Sequence, residues 1–163
     1  MKPSKQTKKS KFLKPIEKRV FVFTDGGING NPGDAGAGVF ITCSDYQKEI
    51  SVYLGFGTNN FAELRAIEEG LKELLKQKQE KHQVFLYSDS KYSLGVLGND
   101  WNLTKNQDLI SRIKGVMALF ADLKMVYVKG HSGVYGNEKA DKLATWGKNK
   151  RIVNRKIQRK KFI

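Results

Sequence analysis

The residues RVFVFTDGGINGNPGDAGAGVFITC, at positions 19–43, decide the fold class of this chain. Their first seven form a short apolar, β-branched and aromatic run that predicts a buried strand ending at Asp25. A loop rich in Gly, Asn and Pro follows, and the run AGVFITC at 37–43 predicts a second strand. Apolar residues alternate with other residues over 50–56 and predict a third. Three consecutive strands joined by short turns predict an antiparallel meander.

The periodicity of the apolar residues changes after residue 58. Side chains that begin with Glu63 recur at i, i+4, i+8 and i+11, which predicts a helix that ends near residue 79. Two further apolar runs, VFLYSD at 84–89 and MVYVKG at 125–130, predict a fourth and a fifth strand, and helical patterns separate and follow them. We therefore predict an α/β fold with a mixed five-stranded sheet, in which strands 1 to 3 form the meander and the later strands alternate with helices that flank the sheet.

The formal net charge of +14 is concentrated at the two ends of the chain. Residues 1–19 hold eight Lys/Arg and one acidic residue, residues 148–163 hold eight Lys/Arg and no acidic residue, and the part between them is close to neutral. We interpret 1–18 as a basic, disordered arm, 19–148 as one domain and 149–163 as a basic C-terminal tail. Two basic ends on a neutral body favour binding to a nucleic-acid backbone, although either end alone fits solubility or nuclear import equally well.

The composition excludes several classes of protein. Cys43 is the only cysteine, so an intramolecular disulfide and a thiolate metal cluster are both excluded. No apolar stretch approaches the ~20 residues that span a bilayer, and the lysine-rich start lacks the apolar segment of a secretion signal. We expect an intracellular monomer without a membrane partner, which is cytoplasmic or, if the source is eukaryotic or viral, nuclear.

Four acidic residues occupy positions where a charge is unexpected. Asp25 and Asp89 each end an apolar strand. Glu63 shares the apolar stripe of its helix, and Asp141 shares a helix face with Ala144. Buried carboxylates repel one another unless a cation compensates them, so we predict a site for two Mg²⁺ ions, with Mn²⁺ as a substitute. Taken singly, each acid also fits a helix cap or a lysine pair, but the four together favour the metal site.

Four segments carry these acids, in the order FTDGGINGNPG at 23–33, TNNFAEL at 58–64, YSDSKY at 87–92 and VKGHSGVYGNEKADKLA at 128–144. They resemble type 1 ribonuclease H, the endonuclease that cuts the RNA strand of RNA–DNA hybrids, and the resemblance extends over 20–147. It implies a ribonuclease H-like sheet, two-metal-ion cleavage and metal ligands at Asp25, Glu63, Asp89 and Asp141. His131 follows strand 5, and its imidazole suits proton transfer near the metals.

The resemblance also implies residues that contact the nucleic acid. Amides suit the minor groove, because they bind base edges and 2′-hydroxyl groups without sequence preference. The implied contacts are Asn31, Asn59 and Asn60 to the minor groove, Thr58 and Asn106 to a phosphate of the DNA strand, and Trp101 to the DNA sugars.

This chain departs from the family pattern at several positions. Phe56 stands where many relatives have an arginine in the phosphate pocket, and Lys91 stands where bacterial relatives often have an amide. The stretch 98–107 is too short for the basic protruding helix with which many bacterial members bind substrate. We hypothesise that the basic ends at 1–18 and 148–163 replace that helix.

Three other functions stay open on the sequence alone. A protein with this fold can bind hybrids without cleaving them, although it would have little reason to keep four clustered acids. The chain also fits another nuclease or strand-transfer enzyme of the same superfamily, such as a resolvase or an integrase-like domain, but His131 and the segment 58–64 favour ribonuclease H. A basic chaperone or packaging protein would act through its tails alone and bind without metal.

Overall fold

The computed structural model describes residues 18–98, 101 and 105–158. Of the predicted basic arm, all but Lys18 lies outside these ranges. The elements in chain order are β1 (Arg19–Asn29), β2 (Gly33–Thr42), β3 (Tyr46–Gly57), α1 (Asn59–Lys76), β4 (Gln83–Ser88), α2 (Lys91–Gly98), α3 (Gln107–Met117), β5 (Asp122–Tyr127), α4 (Tyr135–Lys148) and β6 (Val153–Gln158). No helix in the described ranges is long and apolar enough to cross a membrane.

The strands form a mixed sheet with the order β5-β4-β1-β2-β3-β6. β2 pairs antiparallel with both β1 and β3, whereas β4 runs parallel to both β1 and β5. The predicted α/β class, with a meander followed by strands that alternate with helices, is confirmed.

The sheet has six strands in its described part, so the prediction of five strands was wrong. The additional strand, β6, lies in the predicted basic tail and pairs antiparallel with β3 along its whole length. Most of its side chains are exposed and polar, so no apolar alternation marks it in the sequence. A long-range ion pair stabilises it instead, because Arg155 Nη2 lies 2.5 Å from the buried carboxylate of Glu49 on β3.

Helices pack on both faces of the sheet. Gly70 of α1 lies against the side chains of Val22 and Val39, so α1 covers their face. Gly38 precedes Val39 and faces the other side, because successive strand residues alternate. A Cβ atom at Gly38 would lie only 2.0 Å from the Ala140 carbonyl oxygen, so a side chain there would hold α4 away from the sheet. α2 and α3 pack against α1.

β1 extends past Asp25, where the sequence predicts that it ends. Its antiparallel pairing with β2 continues as far as Asn29, whereas its parallel pairing with β4 stops at Thr24. Gly26 and Gly27 therefore stay within the strand instead of forming a turn. Asp25 is the first residue beyond the paired segment of β1 and β4.

Glu68 of α1 is fully buried and binds three cations. Arg112 Nε, from α3, lies 2.5 Å from Glu68 Oε1, and Lys72 Nζ lies 3.2 Å from the same oxygen. Arg65 contacts Oε2. Burial alone raises the pKa of Glu68, but the hydrogen bonds from these cations outweigh it and hold the pKa at about 2. The network joins α1 to α3.

We expect Glu68→Gln to destabilise the fold by about 1–2 kcal/mol at pH 7, because the amide keeps the size of the side chain but loses its charge. The cost is moderate because Arg112 and Lys72 are half exposed and regain water. In the wild type, the free energy of unfolding should also fall as the pH drops from 4.5 towards 2, because there only the folded state keeps Glu68 ionised.

Urea titrations of the Glu68→Gln variant at several pH values measure both effects. Glu69→Gln is the matched control, because Glu69 lies on the same helix and pairs with Arg65 at a partly exposed position. Equal losses of stability in the two variants would contradict a special role for the buried network.

Candidate active site

Asp25 and Asp89 lie side by side where the parallel pairing of β1 and β4 ends. The last residue pair between these strands is Thr24 with Ser88, and each aspartate follows directly. Asp25 is 6% exposed, and Asp89 is partly buried. Since the carboxyl ends of neighbouring parallel strands lie side by side, strand register alone brings these two carboxyl groups together.

Glu63 reaches the two aspartates from α1. The helix begins after Thr58, whose Oγ accepts a 3.2 Å hydrogen bond from the Phe61 N–H. Farther along the first turns, Glu63 Oε2 accepts a 3.1 Å hydrogen bond from the Gly26 N–H. A Cβ atom at Gly26 would lie 2.4 Å from the Glu63 backbone nitrogen, so only glycine lets α1 approach Asp25 this closely.

We expect Gly26→Ala to destabilise the fold by about 1–3 kcal/mol, because α1 must move away from β1 to admit the methyl group. Gly115→Ala is the matched control, since a Cβ atom at that helical position would meet nothing within 4 Å. Chemical denaturation should show a loss for Gly26→Ala and a small gain for Gly115→Ala. A Gly26→Ala variant as stable as the wild type would show that the contact with α1 is not tight.

The structure brings all four predicted acids together. Single oxygen atoms of Asp25, Glu63 and Asp89 all lie within 4.8 Å of one another. Asp141 of α4 lies beside Asp25, and its carboxyl group contributes to raising the pKa of Asp25. Because α1 and α4 lie on opposite faces of the sheet, the acid cluster, meaning these four residues, is assembled from both faces around the strands.

The acid cluster cannot ionise fully without a compensating cation. Burial is the largest cause that raises the pKa of Asp25 to about 10, and the charges of Glu63 and Asp89 add to it. Burial, followed by the charge of Asp89, raises the pKa of Glu63 to about 8. Burial also raises the pKa of Asp89. A divalent cation bound by these oxygens would remove the repulsion.

Asn137 is a site residue to which the sequence reasoning gave no role. Its side chain is 2% exposed and donates a hydrogen bond to the Asp89 carboxylate. Its Oδ1 is buried and has no hydrogen-bond partner in the described part of the chain. Buried amide oxygens normally accept a hydrogen bond, so this free oxygen fits a position where it would bind a cation or a water molecule coordinated to that cation. The available signal was the spacing, because Asn137 precedes Asp141 by one helical turn.

His131 lies at the exposed rim of the acid cluster, in the loop between β5 and α4. Its backbone is left-handed, with a φ of 52°. The preceding Gly130 packs on Asp89, since a Cβ atom there would lie 2.7 Å from Asp89 Oδ2. Burial raises the pKa of Asp89, while the Asn137 hydrogen bond and the nearby His131 oppose part of the rise.

The amides predicted to contact nucleic acid lie on adjoining segments. Asn31 Oδ1 accepts a 3.2 Å hydrogen bond from the Asn59 N–H, which joins the turn between β1 and β2 to the start of α1. Asn31 and the neighbouring Asn60 are exposed. The three amides are therefore available to one ligand on this surface.

Asn106 lines an open cavity of about 420 Å³ together with Phe61 of α1 and Arg112 of α3. It precedes α3 in a left-handed conformation, with a φ of 59°. Thr58 borders the same region, because its Oγ accepts the hydrogen bond from Phe61. The structure thus places both predicted phosphate contacts between the starts of α1 and α3.

Two aromatic side chains near these segments are exposed. Trp101 is 50% exposed and packs on α2 at Gly95, where a Cβ atom would lie 2.6 Å from its ring. Phe56 is 74% exposed near the end of β3, two residues before Thr58. Phe56 therefore presents its aromatic ring to solvent.

The family model of RNase H matches residues 17–149 of this chain. Ribonuclease HI of Haemophilus ducreyi is 37% identical over 145 residues, which cover 81% of this chain and 92% of that protein. Ribonuclease H of Orientia tsutsugamushi is 35% identical over 159 residues, which cover 88% of this chain and 92% of that protein.

Solved structures show the same fold. RNase H1 of the halophilic archaeon Halobacterium salinarum superposes with a TM-score of 0.69 at 24% identity, covering 81% of this chain and 98% of that one. LC11-RNase H1 in complex with an RNA/DNA hybrid superposes with a TM-score of 0.64 at 24% identity, covering 77% and 96%.

Proposed function

Because this chain belongs to the ribonuclease H family, we propose that it is a metal-dependent endonuclease that hydrolyses the RNA strand of RNA–DNA hybrids. The acid cluster is the observation that carries this proposal. Single carboxylate oxygens of Asp25, Glu63 and Asp89 lie within 4.8 Å of one another, and the carboxyl group of Asp141 lies beside Asp25 and contributes to raising its pKa. A protein that only bound hybrids would gain nothing from burying Asp25 and Glu63 beside two further acids that repel them.

The donor atoms of the site fit Mg²⁺, with Mn²⁺ as a substitute, because they are all oxygens. Two such ions, when bound, supply an activated water and stabilisation of the leaving oxygen in phosphodiester hydrolysis. The raised pKa values of Asp25 and Glu63 are those expected of ligands that lack their cation. The Oδ1 of Asn137, which has no hydrogen-bond partner in the described residues, adds an uncharged oxygen ligand beside Asp89. The proposed ligands are therefore Asp25, Glu63, Asp89 and Asp141, supported by Asn137.

The surrounding residues suit a hybrid. Asn31, Asn59 and Asn60 would contact the minor groove, where 2′-hydroxyl groups distinguish RNA from DNA. Asn106 lines the cavity, and Thr58 is hydrogen-bonded to Phe61, which lines it too. The polar groups of Thr58 and Asn106 would bind a phosphate of the DNA strand.

Two further side chains complete the proposed site. The exposed ring of Trp101 would pack on the DNA sugars. His131, at the rim beside Asp89, would take up or deliver a proton during hydrolysis and product release. Its exposed position allows exchange of that proton with solvent.

Cleavage of a hybrid labelled on its RNA strand tests this proposal, with duplex DNA, duplex RNA and a four-way DNA junction beside it. We expect Mg²⁺-dependent cutting of the hybrid's RNA strand alone, which EDTA stops and excess Mg²⁺ restores. Binding without cutting in both Mg²⁺ and Mn²⁺ would contradict the proposal and favour a hybrid-binding protein. Cutting of the junction would favour a resolvase-like enzyme, and binding that needs no metal and ignores substrate type would favour a basic chaperone.

A further inference from the structure

The end of α4 and the start of β6 carry a concentration of positive charge. Residues 148–158 contain five Lys/Arg and no acidic residue. Lys142 and Trp146 lie on the last turns of α4, and Lys150 and Arg151 follow in the connection to β6. We call these four residues the basic platform. In the described part of the chain, none of its three cations has a carboxylate within ion-pair distance.

Aromatic rings and backbone contacts hold the basic platform in place. The Arg151 guanidinium carbon lies 3.9 Å from the centroid of the Trp146 ring, and Lys142 Nζ lies 5.2 Å from the same centroid. The Arg151 N–H donates a 2.8 Å hydrogen bond to the Trp146 carbonyl oxygen, and its own carbonyl oxygen accepts one of 2.7 Å from Ser51 Oγ. Lys150 Nζ lies 5.4 Å from the Tyr53 ring centroid. Rings fix these cations without neutralising them.

Neighbouring cations have a different environment. Lys139 Nζ lies 2.7 Å from Glu49 Oε1, and Arg155 contacts the other oxygen of the same buried carboxylate. Their charges compensate Glu49 and fasten α4 and β6 to β3. The cations of α4 and of the segment that follows it therefore divide into those that hold the structure together and those left available to a ligand.

The basic platform adjoins the proposed active site. Asn29 is the last residue of β1, two positions before Asn31, and its Nδ2 donates hydrogen bonds to the Lys148 carbonyl oxygen at 3.3 Å and to Asn149 Oδ1 at 2.9 Å. Asp141 lies on the same helix seven residues before Lys148, which corresponds to ~10 Å along the axis. A polyanion bound at the acid cluster and the amides would thus pass close to the basic platform.

We propose that the basic platform binds the phosphate backbone of the hybrid beside the segment being cleaved. The inference rests on the proposed function and extends it, because it assigns part of substrate affinity to residues that, apart from Lys142, lie outside the four matching segments. β6 is essential to this arrangement, since its pairing with β3 gives Lys150 and Arg151 fixed positions instead of leaving them on a mobile tail. The affinity gained in this way comes from release of counterions and so depends on salt.

The test is binding of an intact hybrid by Lys150→Gln/Arg151→Gln, measured by fluorescence anisotropy between about 50 and 200 mM salt. The double variant and the otherwise wild-type protein with which it is compared both carry Asp89→Asn, so that the hybrid is not cut. Each lost phosphate contact lowers the slope of log affinity against log salt by roughly 0.7–0.9, so we expect a decrease of about 1–2 and weaker binding at low salt.

Lys78→Gln/Lys81→Gln is the matched control. It also removes two exposed cations, one of them at a left-handed backbone position, since φ is 56° at Lys78 and 64° at Lys150. Lys81 lies just before β4, at the end of that strand opposite to Asp89. The control pair should leave the slope of log affinity against log salt unchanged. Arg151→Lys should retain most of the wild-type slope, because the positive charge remains.

Equal salt-dependence slopes for Lys150→Gln/Arg151→Gln and for the control Lys78→Gln/Lys81→Gln would overturn the inference, whether or not the wild type cleaves hybrids. Conversely, a wild type that never cleaves would overturn the proposed function while the slopes still test the basic platform. Lys150→Glu serves if the double variant is unstable, because it leaves the packing of Arg151 on Trp146 intact. It should reduce the slope at an unchanged melting temperature, and an unaltered slope would again contradict the inference.

Discussion

Asp89→Asn should reduce hybrid cleavage by at least about a thousand-fold, equivalent to ~4 kcal/mol of transition-state stabilisation. Asparagine has nearly the shape of aspartate but lacks the negative charge with which a carboxylate binds Mg²⁺. Asp89 lies among the acid cluster with an oxygen within 4.8 Å of those of Asp25 and Glu63, so its loss should weaken the site for both proposed ions. Single-turnover cleavage at saturating enzyme measures the effect on chemistry rather than on binding.

The fold should survive this substitution. The Asn137 side chain can still donate a hydrogen bond to an amide oxygen at position 89, and the repulsion on Asp25 decreases. We therefore expect an unchanged or higher melting temperature and retained binding of the hybrid. Asp45→Asn is the matched control, since that side chain is 63% exposed, pairs with Lys18 and lies outside the acid cluster. Cleavage by Asp89→Asn near the wild-type rate would show that Asp89 does not bind the metal.

The sequence predicted the position of the acid cluster because local periodicity determines which side chains are buried. An acid that directly follows an apolar run lies where two parallel strands stop pairing, and this applied to both Asp25 and Asp89, although β1 itself continues to Asn29. Helical spacing placed Glu63 on the buried face of α1, where it is 6% exposed. Apolar patterns of this kind also sufficed for the meander and the alternating strands and helices.

Features that depend on partners distant in the sequence were not predictable in the same way. β6 has no apolar alternation, and its contacts come from pairing with β3 and from the Arg155–Glu49 pair, whose members are 106 positions apart. The extension of β1 past Asp25 depends on β2, because the Gly26–Gly27 pair alone resembles a turn. Asn137 gave no hydrophobic signal, and its spacing from Asp141 did not indicate its partner, which is the side chain of Asp89 on a different element.

Asp25→Asn should stabilise the metal-free protein, although substitutions of buried residues usually destabilise. Burial and the neighbouring charges of Glu63 and Asp89 raise the pKa of Asp25 to about 10 in the folded state, whereas its ordinary value is 3.8. At pH 7 the metal-free protein must therefore take up a proton in order to fold, which costs up to about 4 kcal/mol. Asparagine needs no proton, and since neighbouring groups relax we expect a gain of about 2 kcal/mol in the free energy of unfolding.

The pH dependence shows whether charge repulsion is the cause. A carboxyl group whose pKa is raised on folding destabilises the folded state as the pH rises, because the unfolded state gives up its proton first. The free energy of unfolding of the metal-free wild type should therefore fall from about pH 4 upwards. The fall should continue through pH 8, where Glu63 titrates, towards pH 10, where Asp25 titrates. Asp25→Asn should flatten this decline, because it removes the larger of the two shifts. Urea titrations in EDTA at several pH values measure both curves, with Asp122→Asn on the surface of β5 as the matched control.

Mg²⁺ supplies the complementary test of the same repulsion. Since the ion binds the folded acid cluster, it should raise the melting temperature of the wild type and of Asp122→Asn, and raise that of Asp25→Asn much less. The substitution should thus be stabilising in EDTA and lose its advantage as Mg²⁺ is added. A wild type whose stability rises with pH in EDTA, or an Asp25→Asn variant that is less stable than the wild type at pH 8, would mean that the cluster is not under charge repulsion. The case for bound cations would then lose its electrostatic basis, because nothing in the metal-free fold would require them.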